Sequence, residues 1–335
     1  MLPNRPTPQR IFETLEAFRR TAALRTAIEL DVFTAIGKGT AAASEIAERC
    51  SASERGIQTL CDYLTMLGFL NKQGQAYSQS ADADALLNRR SSAYLGDSAS
   101  EAVGCQAVVS AFSTLTEAVR RGGTALAGGG TLAPEHPVWV AFARAMAAPG
   151  AFLARLLADC VGEQIERASK ILDIAGGHGL YGIEFAKRNP RAEVFAVEWP
   201  QVLALARANA ERAGVSDRFH GIPGDALSVA FGGGYDLALI TNFLPDLGST
   251  EQLLKRIHSA LAPNGRVALF ELMLNDDRVS PPAAVALNLT LLATTPSGQA
   301  RTASQLSEAL KRAGFRQVEF REVPPAPNRV AIAYR

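Results

Sequence analysis

Short apolar runs and amphipathic stretches alternate along the second half of the chain. From residue 161 onward the candidate strands are 171–175, 193–198, 219–222, 236–241 and 266–271. Between them, near 180–188, 201–213 and 250–261, apolar residues recur at helical spacing. That alternation predicts a parallel sheet covered on both faces. After a helix over 302–313, closed at Gly314, two apolar runs at 318–323 and 329–334 are joined by PPAPN. The connection is too short for a crossover, so these two strands must pair antiparallel.

The first half reads differently. Ile11, Leu15, Phe18, Ala22, Ile28, Val32 and Phe33 predict one or two amphipathic helices, after a proline-rich, polar and mobile lead over 1–10. A short helix over 44–50, with Ser44 as N-cap, precedes a longer one over 53–67. A hairpin over 69–77, turning at Gln73 and Gly74, completes the outline of a winged helix-turn-helix. Residues 92–160 read as helical, interrupted at 122–131 by a segment too rich in glycine for helix or strand.

Charge changes the picture of the first domain. Residues 1–100 carry eleven basic and eleven acidic side chains, and the presumed recognition helix offers only Arg55, beside Glu54 and Asp62. A DNA reader needs a basic face, so the domain reads as a packing and dimerisation module. Across all 335 residues the net charge is +1, which gives no electrostatic case for nucleic acid or membranes. Cys50, Cys61, Cys105 and Cys160 lack metal-ligand spacing and read as buried thiols in a reducing compartment; no metal site is expected. The first residues lack an apolar signal core, so a cytoplasmic location is expected.

The candidate chemistry lies in KILDIAGGHGLYGIEFAKRNP, residues 170–190. A strand, a glycine turn and a helix in that order bring backbone N–H groups to a ligand over the helix N-terminus. Gly177, Gly179 and Gly182 satisfy G-x-G-x-x-G, and Glu198 follows at the distance of a ribose-binding acid, which taken alone suits a nicotinamide cofactor. Asp173 argues otherwise, because a carboxylate on that strand repels a pyrophosphate and suits an ammonium group. Asp225, in Gly224–Asp225–Ala226, is placed to accept from an adenine amino group.

These features resemble the class I S-adenosylmethionine-dependent methyltransferases, in particular the small-molecule O-methyltransferases of the hydroxyindole and plant phenolic type. The resemblance runs through DIAGGHG at 173–179, VEWPQV at 197–202, GDA at 224–226, NFL at 242–244, LAPNGRV at 261–267 and GQARTASQLSEALKRAGF at 298–315. It implies an α/β fold: a Rossmann-like seven-stranded sheet with a C-terminal antiparallel hairpin, preceded by a helical winged-helix dimerisation domain. The implied domains are 1–92 for dimerisation, 93–160 as a helical connector contributing to the substrate pocket, and 161–335 for S-adenosylmethionine binding and catalysis. A homodimer acting on a small molecule is implied.

By the same resemblance Asp173, Gly176, Gly177 and Gly179 surround the methionine part of the cofactor. Glu198 accepts from the ribose, Trp199 packs near the adenine, Gly224, Asp225 and Ala226 hold the adenine edge, and Asn242 lines the site. Candidate walls of the substrate pocket are Phe142, Met146, Phe243, Asn288 and Leu292, each of which could equally serve the core.

The chain departs from the pattern of the family it resembles at two positions. The histidine that serves as general base is replaced by Pro245, and its partner glutamate by Ala300. No replacement base stands out: His178 reads as a loop packing residue, His258 as structural, His136 and His220 lack a motif, and Asp246 is acidic in the family even beside the histidine. The preferred expectation is methyl transfer to an acidic hydroxyl, or to a nitrogen or carbon nucleophile, driven by proximity. The alternatives are a cofactor-binding enzyme repurposed for another reaction and a non-catalytic dimeric binding protein.

Overall fold

The computed structural model describes residues 8–104, 106–132, 136 and 138–335. The expectations for residues 1–7 and Cys105 lie outside these. The chain divides into two compact units, Met1–Gly104 and Cys105–Arg335.

In the first unit three helices, Gln9–Leu15, Phe18–Glu29 and Val32–Ile36, stand where one or two were expected, and Gln9 and Arg10 are helical. A three-stranded antiparallel sheet follows, of β1 (Ala41–Ala42), β2 (Leu70–Gln73) and β3 (Ala76–Gln79), in the order β1-β3-β2. Two expectations are corrected. Ser44 is not a cap: the helix is Ala43–Arg49, and the Glu45 carboxylate accepts from the Ala42 N–H at 2.7 Å, doing the work from inside the first turn. The hairpin turns at Gly74 and Gln75, since Gln73 pairs with Ala76 and Gly74 takes the positive φ of 60°. The helix Glu54–Met66 is capped by Ser53, whose Oγ accepts from the Gly56 N–H at 3.1 Å. Phe33, Ile46, Ile57, Leu64, Leu70 and Tyr77 form the core of this unit.

The second unit is built on seven strands: β4 (Lys170–Ile174), β5 (Glu193–Glu198), β6 (Phe219–Pro223), β7 (Tyr235–Thr241), β8 (Leu261–Glu271), β9 (Val318–Glu322) and β10 (Arg329–Tyr334). Their order is β6-β5-β4-β7-β8-β10-β9, and β10 runs antiparallel to both neighbours while β4 to β8 are parallel. Side chains alternate between two cores: Ile171, Val194, Leu237 and Phe270 on one face, Leu172, Val197, Ala238 and Leu269 on the other. β8 begins five residues earlier than 266 because the chain bulges at Asn264, φ 68°, and the register slips between Tyr235 and Leu237. Helices Leu180–Arg188, Pro200–Arg212, Glu251–Ala260 and Ala303–Arg312 lie where the periodicity put them. Strand order reverses at β4, so a crevice opens beyond the carboxyl ends of β4 and β7.

Among the described residues no single helix is long and apolar enough to cross a membrane. Val138–Ala145 and Ala147–Cys160 reach that length only together, and they bend by 63°.

Candidate active site

β4 delivers Asp173 to the crevice. The carboxyl group is fully buried, and both oxygens lack a hydrogen-bond partner among the described residues. Desolvation pushes its pKa up to about 7; the dipole of the neighbouring Gly182 N–H, which does not reach hydrogen-bond geometry, opposes the rise, and the nearby Glu198 charge adds to it. Gly176 and Gly182 are glycines because a Cβ at either would lie 2.9 Å from Asp173 Oδ2. Gly177, at φ 54°, faces open space, and its N–H donates to Glu198 Oε2 at 3.0 Å. Gly179 serves differently. Its φ of 74° starts the helix, and its missing Cβ is the space taken by Ala206 and Phe219.

Glu198 ends β5, and its other oxygen accepts from the Trp199 N–H at 2.8 Å; burial raises its pKa too. Gly224, at φ 142°, donates its N–H to the Glu198 carbonyl at 3.0 Å, which draws the Gly224–Asp225–Ala226 turn beside β5. Asp225 Oδ1 accepts from Leu227 N–H at 2.8 Å, and Ala226 is buried. Asn242, left-handed at φ 52°, accepts on Oδ1 from Asn328 Nδ2 at 2.8 Å. An orphaned carboxylate beside an open glycine, with a second acid one strand away, suits a ligand carrying a cationic amino group and hydroxyls. It does not suit a pyrophosphate.

The second half of the site is the loop after β7. Leu244–Asp246 forms a short 3-10 turn in which Pro245 is buried, and Ala300 is fully buried. Gln299 N–H donates to the Pro245 carbonyl at 2.7 Å. The buried Arg301 donates from Nη1 to the Leu244 carbonyl at 2.8 Å, and from Nη2 to those of Leu247 and Gly248 at 2.7 and 3.1 Å. Glu271, at the end of β8, accepts on Oε1 from the Phe243 and Leu244 N–H groups at 3.1 Å each. Its Oε2 is buried without a hydrogen-bond partner among the described residues, and desolvation pushes the pKa up to about 8. Sequence reading missed Glu271 and Arg301. An acid closing an apolar strand, as Asp173 also does, was the one signal available for Glu271.

His178 and His258 are engaged in packing. His178 is buried, accepts on Nδ1 from Leu180 N–H at 3.2 Å, and stacks on Tyr181 at 5.7 Å. It fills the space that Gly150 leaves, and burial lowers its pKa to about 4. His258 meets Phe315 edge-on at 5.1 Å.

The five wall candidates fall into two groups. Phe142, 40% exposed, lies on helix Val138–Ala145, which packs on helix Pro200–Arg212, and Met146 follows it. Asn288 and Leu292 lie on helix Pro282–Thr294, which packs on the Leu244–Asp246 turn. Phe243 opens that turn from the end of β7. Asn288 Oδ1 accepts from the Ala300 N–H at 2.9 Å. That bond fixes the amide orientation, so the donor end, Nδ2, is left with no partner among the described residues.

This architecture is that of a methyltransferase. Residues 135–316 match the O-methyltransferase domain family, and residues 12–89 match the O-methyltransferase dimerisation domain. The chain belongs to the O-methyltransferase family and is an S-adenosylmethionine-dependent methyltransferase. It is 27% identical to the tetracenomycin polyketide synthesis 8-O-methyl transferase TcmO of Streptomyces glaucescens, over 97% of this chain and 96% of that protein. It is 26% identical to the 3-hydroxy-5-methyl-1-naphthoate 3-O-methyltransferase of Streptomyces sahachiroi, over 94% of this chain and 92% of that one. A crystal structure of a putative O-methyltransferase from Nostoc punctiforme is 43% identical, with a TM-score of 0.96 over 99% of this chain and 100% of that one.

Proposed function

We propose that this chain works as a homodimer and methylates a small aromatic or polyketide-like molecule at a hydroxyl that is already acidic, or at a nitrogen or carbon nucleophile. The carrying observation is the base loop. Pro245 and Ala300 occupy the two positions expected to handle the acceptor proton, and neither has a group that can take one. A positioned base is worth about 10²–10⁴-fold, so an acceptor that needs one reacts poorly here. Proximity and orientation carry the remaining acceleration.

In this reading Asp173 would hold the cofactor's ammonium group, with Gly176, Gly177 and Gly179 around the methionine portion. Glu198 would accept from the ribose hydroxyls, Trp199, Gly224, Asp225 and Ala226 would hold the adenine, and Asn242 would line the site. When bound, S-adenosylmethionine supplies an electrophilic methyl group on a positively charged sulfur. Asn288 Nδ2 donates to an anionic or carbonyl oxygen of the acceptor, while Phe142, Met146, Phe243 and Leu292 give apolar walls to its ring. The two relatives from Streptomyces, named for polyketide and naphthoate O-methylation, support an aromatic acceptor. No observation favours a repurposed cofactor binder or a non-catalytic dimer.

The test is a series of naphthols and hydroxynaphthoquinones of graded acidity. We expect kcat/KM to climb steeply as the hydroxyl pKa falls, and Pro245→His to flatten that dependence. Unactivated phenols methylated as fast as acidic ones would refute the reading.

A further inference from the structure

The surroundings of Asp173 offer it no positive charge. Its carboxyl group is fully buried, and neither oxygen has a hydrogen-bond partner among the described residues. In the sheet it stands beside Ala196 of β5 and Leu239 of β7. Glu198, at the end of β5, is the one charged group among the described residues that acts on it, and it is another acid. Helix Leu180–Arg188 packs on β4 and brings the Tyr181 hydroxyl, whose ionisation burial opposes first and the acids Glu271 and Asp173 oppose further. The charges of that helix are engaged elsewhere: Lys187 and Arg188 pair with Glu184, and Arg188 also with Asp159.

The remaining charges of the three strands lie at their amino-terminal ends. Lys170 stands over the Phe195 and Tyr235 rings, Asp236 accepts from the Ser169 N–H at 2.9 Å, and Glu193 meets His220. His178, in the glycine turn, is neutral above pH 5, because burial lowers its pKa to about 4. A bare carboxylate in such a place is costly, and a group that can keep its proton does so.

We propose that Asp173 is a neutral acid until the cofactor arrives, and that the cofactor's ammonium group displaces its proton to solvent, so that S-adenosylmethionine binds more tightly as pH rises. The inference rests on the reading above in which Asp173 holds that group. The protons balance simply. An α-amino group, with an ordinary pKa of about 8, arrives charged and keeps all its protons. The carboxylic acid gives one proton to water, and an ion pair forms in the buried site.

The test is calorimetric titration of S-adenosylmethionine into the full chain, in buffers of different ionisation enthalpy, which counts released protons. With the Asp173 proton held to about pH 7, close to one proton should leave per site at pH 6. The dissociation constant should fall about 20-fold from pH 5.5 to pH 7.5. 5′-Methylthioadenosine, which keeps the nucleoside but has no amino group, should release none. Release with that ligand too would place the proton on Glu198 and overturn the inference. Wild type that binds S-adenosylmethionine with no proton release and a flat pH dependence also overturns it. If Asp173→Asn nonetheless loses binding, the ammonium reading survives alone. Asp173→Asn that binds as tightly as wild type, or a folded wild type that does not bind, overturns both.

Discussion

Asp173 and Glu271 lie at the carboxyl ends of two interior strands, and both are buried acids with an oxygen that has no hydrogen-bond partner among the described residues. Each would ionise near pH 4 in an unfolded chain. The folded chain holds the Asp173 proton to about pH 7 and the Glu271 proton to about pH 8. Across that window the folded state binds more protons than the unfolded one, so stability falls as pH rises. Asp173→Asn removes the charge and keeps the shape. It should raise the melting temperature at pH 8, by up to roughly 4 kcal/mol of stability, and change little below about pH 4. Calorimetric binding of S-adenosylmethionine should be lost in the same variant. A lower melting temperature at pH 8 would mean that the carboxylate already has a stabilising partner. Asp173, Glu198 and Asp225 were legible in the sequence because glycines and strand ends flag them. Glu271 and Arg301 were not, since their work is to bond backbone groups of residues 243–248 that are brought to them only by folding.

At the level of elements, three loops lock backbone against backbone on the base side of the site. A Cβ on Gly123 would stand 2.0 Å from the Pro296 carbonyl oxygen, and one on Gly130 would stand 2.2 Å from that of Thr294. Thr124 N–H donates to the Thr295 carbonyl at 2.8 Å. A Cβ on Gly298 would be 2.9 Å from the Pro245 carbonyl oxygen. The glycine-rich stretch therefore clamps residues 294–298, which in turn clamp Pro245. The sequence predicted a loop from glycine content, and the observed segment holds Gly128, Gly129 and Gly130 at φ of 69°, 86° and 67°. It could not say which glycines are needed for contact. Gly130→Ala should cost about 1–3 kcal/mol more stability than Gly128→Ala. Both positions have positive φ, but the Cβ at 128 meets nothing within 4 Å. Thermal melts of the two variants decide it, and equal losses would mean that backbone strain, not the clamp, is what matters.

For the whole molecule, stability and assembly are linked by mass action. Ile11, Phe12 and Leu15 of helix Gln9–Leu15 are 63%, 59% and 68% exposed; if the homodimer covers them, the melting temperature of wild type should rise with protein concentration, and that of a Leu15→Asp variant should rise less. Calorimetry across a hundredfold range of concentration checks this. A concentration-independent wild type would place the apolar residues of this helix outside any dimer contact. S-adenosylmethionine at a hundred times its dissociation constant should add about 2.7 kcal/mol to the folded state at every protein concentration.

Periodicity by itself determined the alternating strands and helices of the second unit, and the antiparallel pairing of β9 and β10. These rest on local spacing: interior strands read as apolar runs, and a short connector forbids a crossover. The family resemblance, the cofactor chemistry and the absence of a histidine at 245 were also in the sequence, because each is a matter of residue type at a position. The tertiary structure alone decided what depends on partners distant along the chain. It left Asp173 without a hydrogen-bond partner among the described residues, tied Glu271 and Arg301 to the backbone on either side of Pro245, and committed the Asn288 oxygen to the Ala300 N–H. Burial, hydrogen-bond satisfaction and clearance are properties of neighbours in space, which no spacing along the chain specifies.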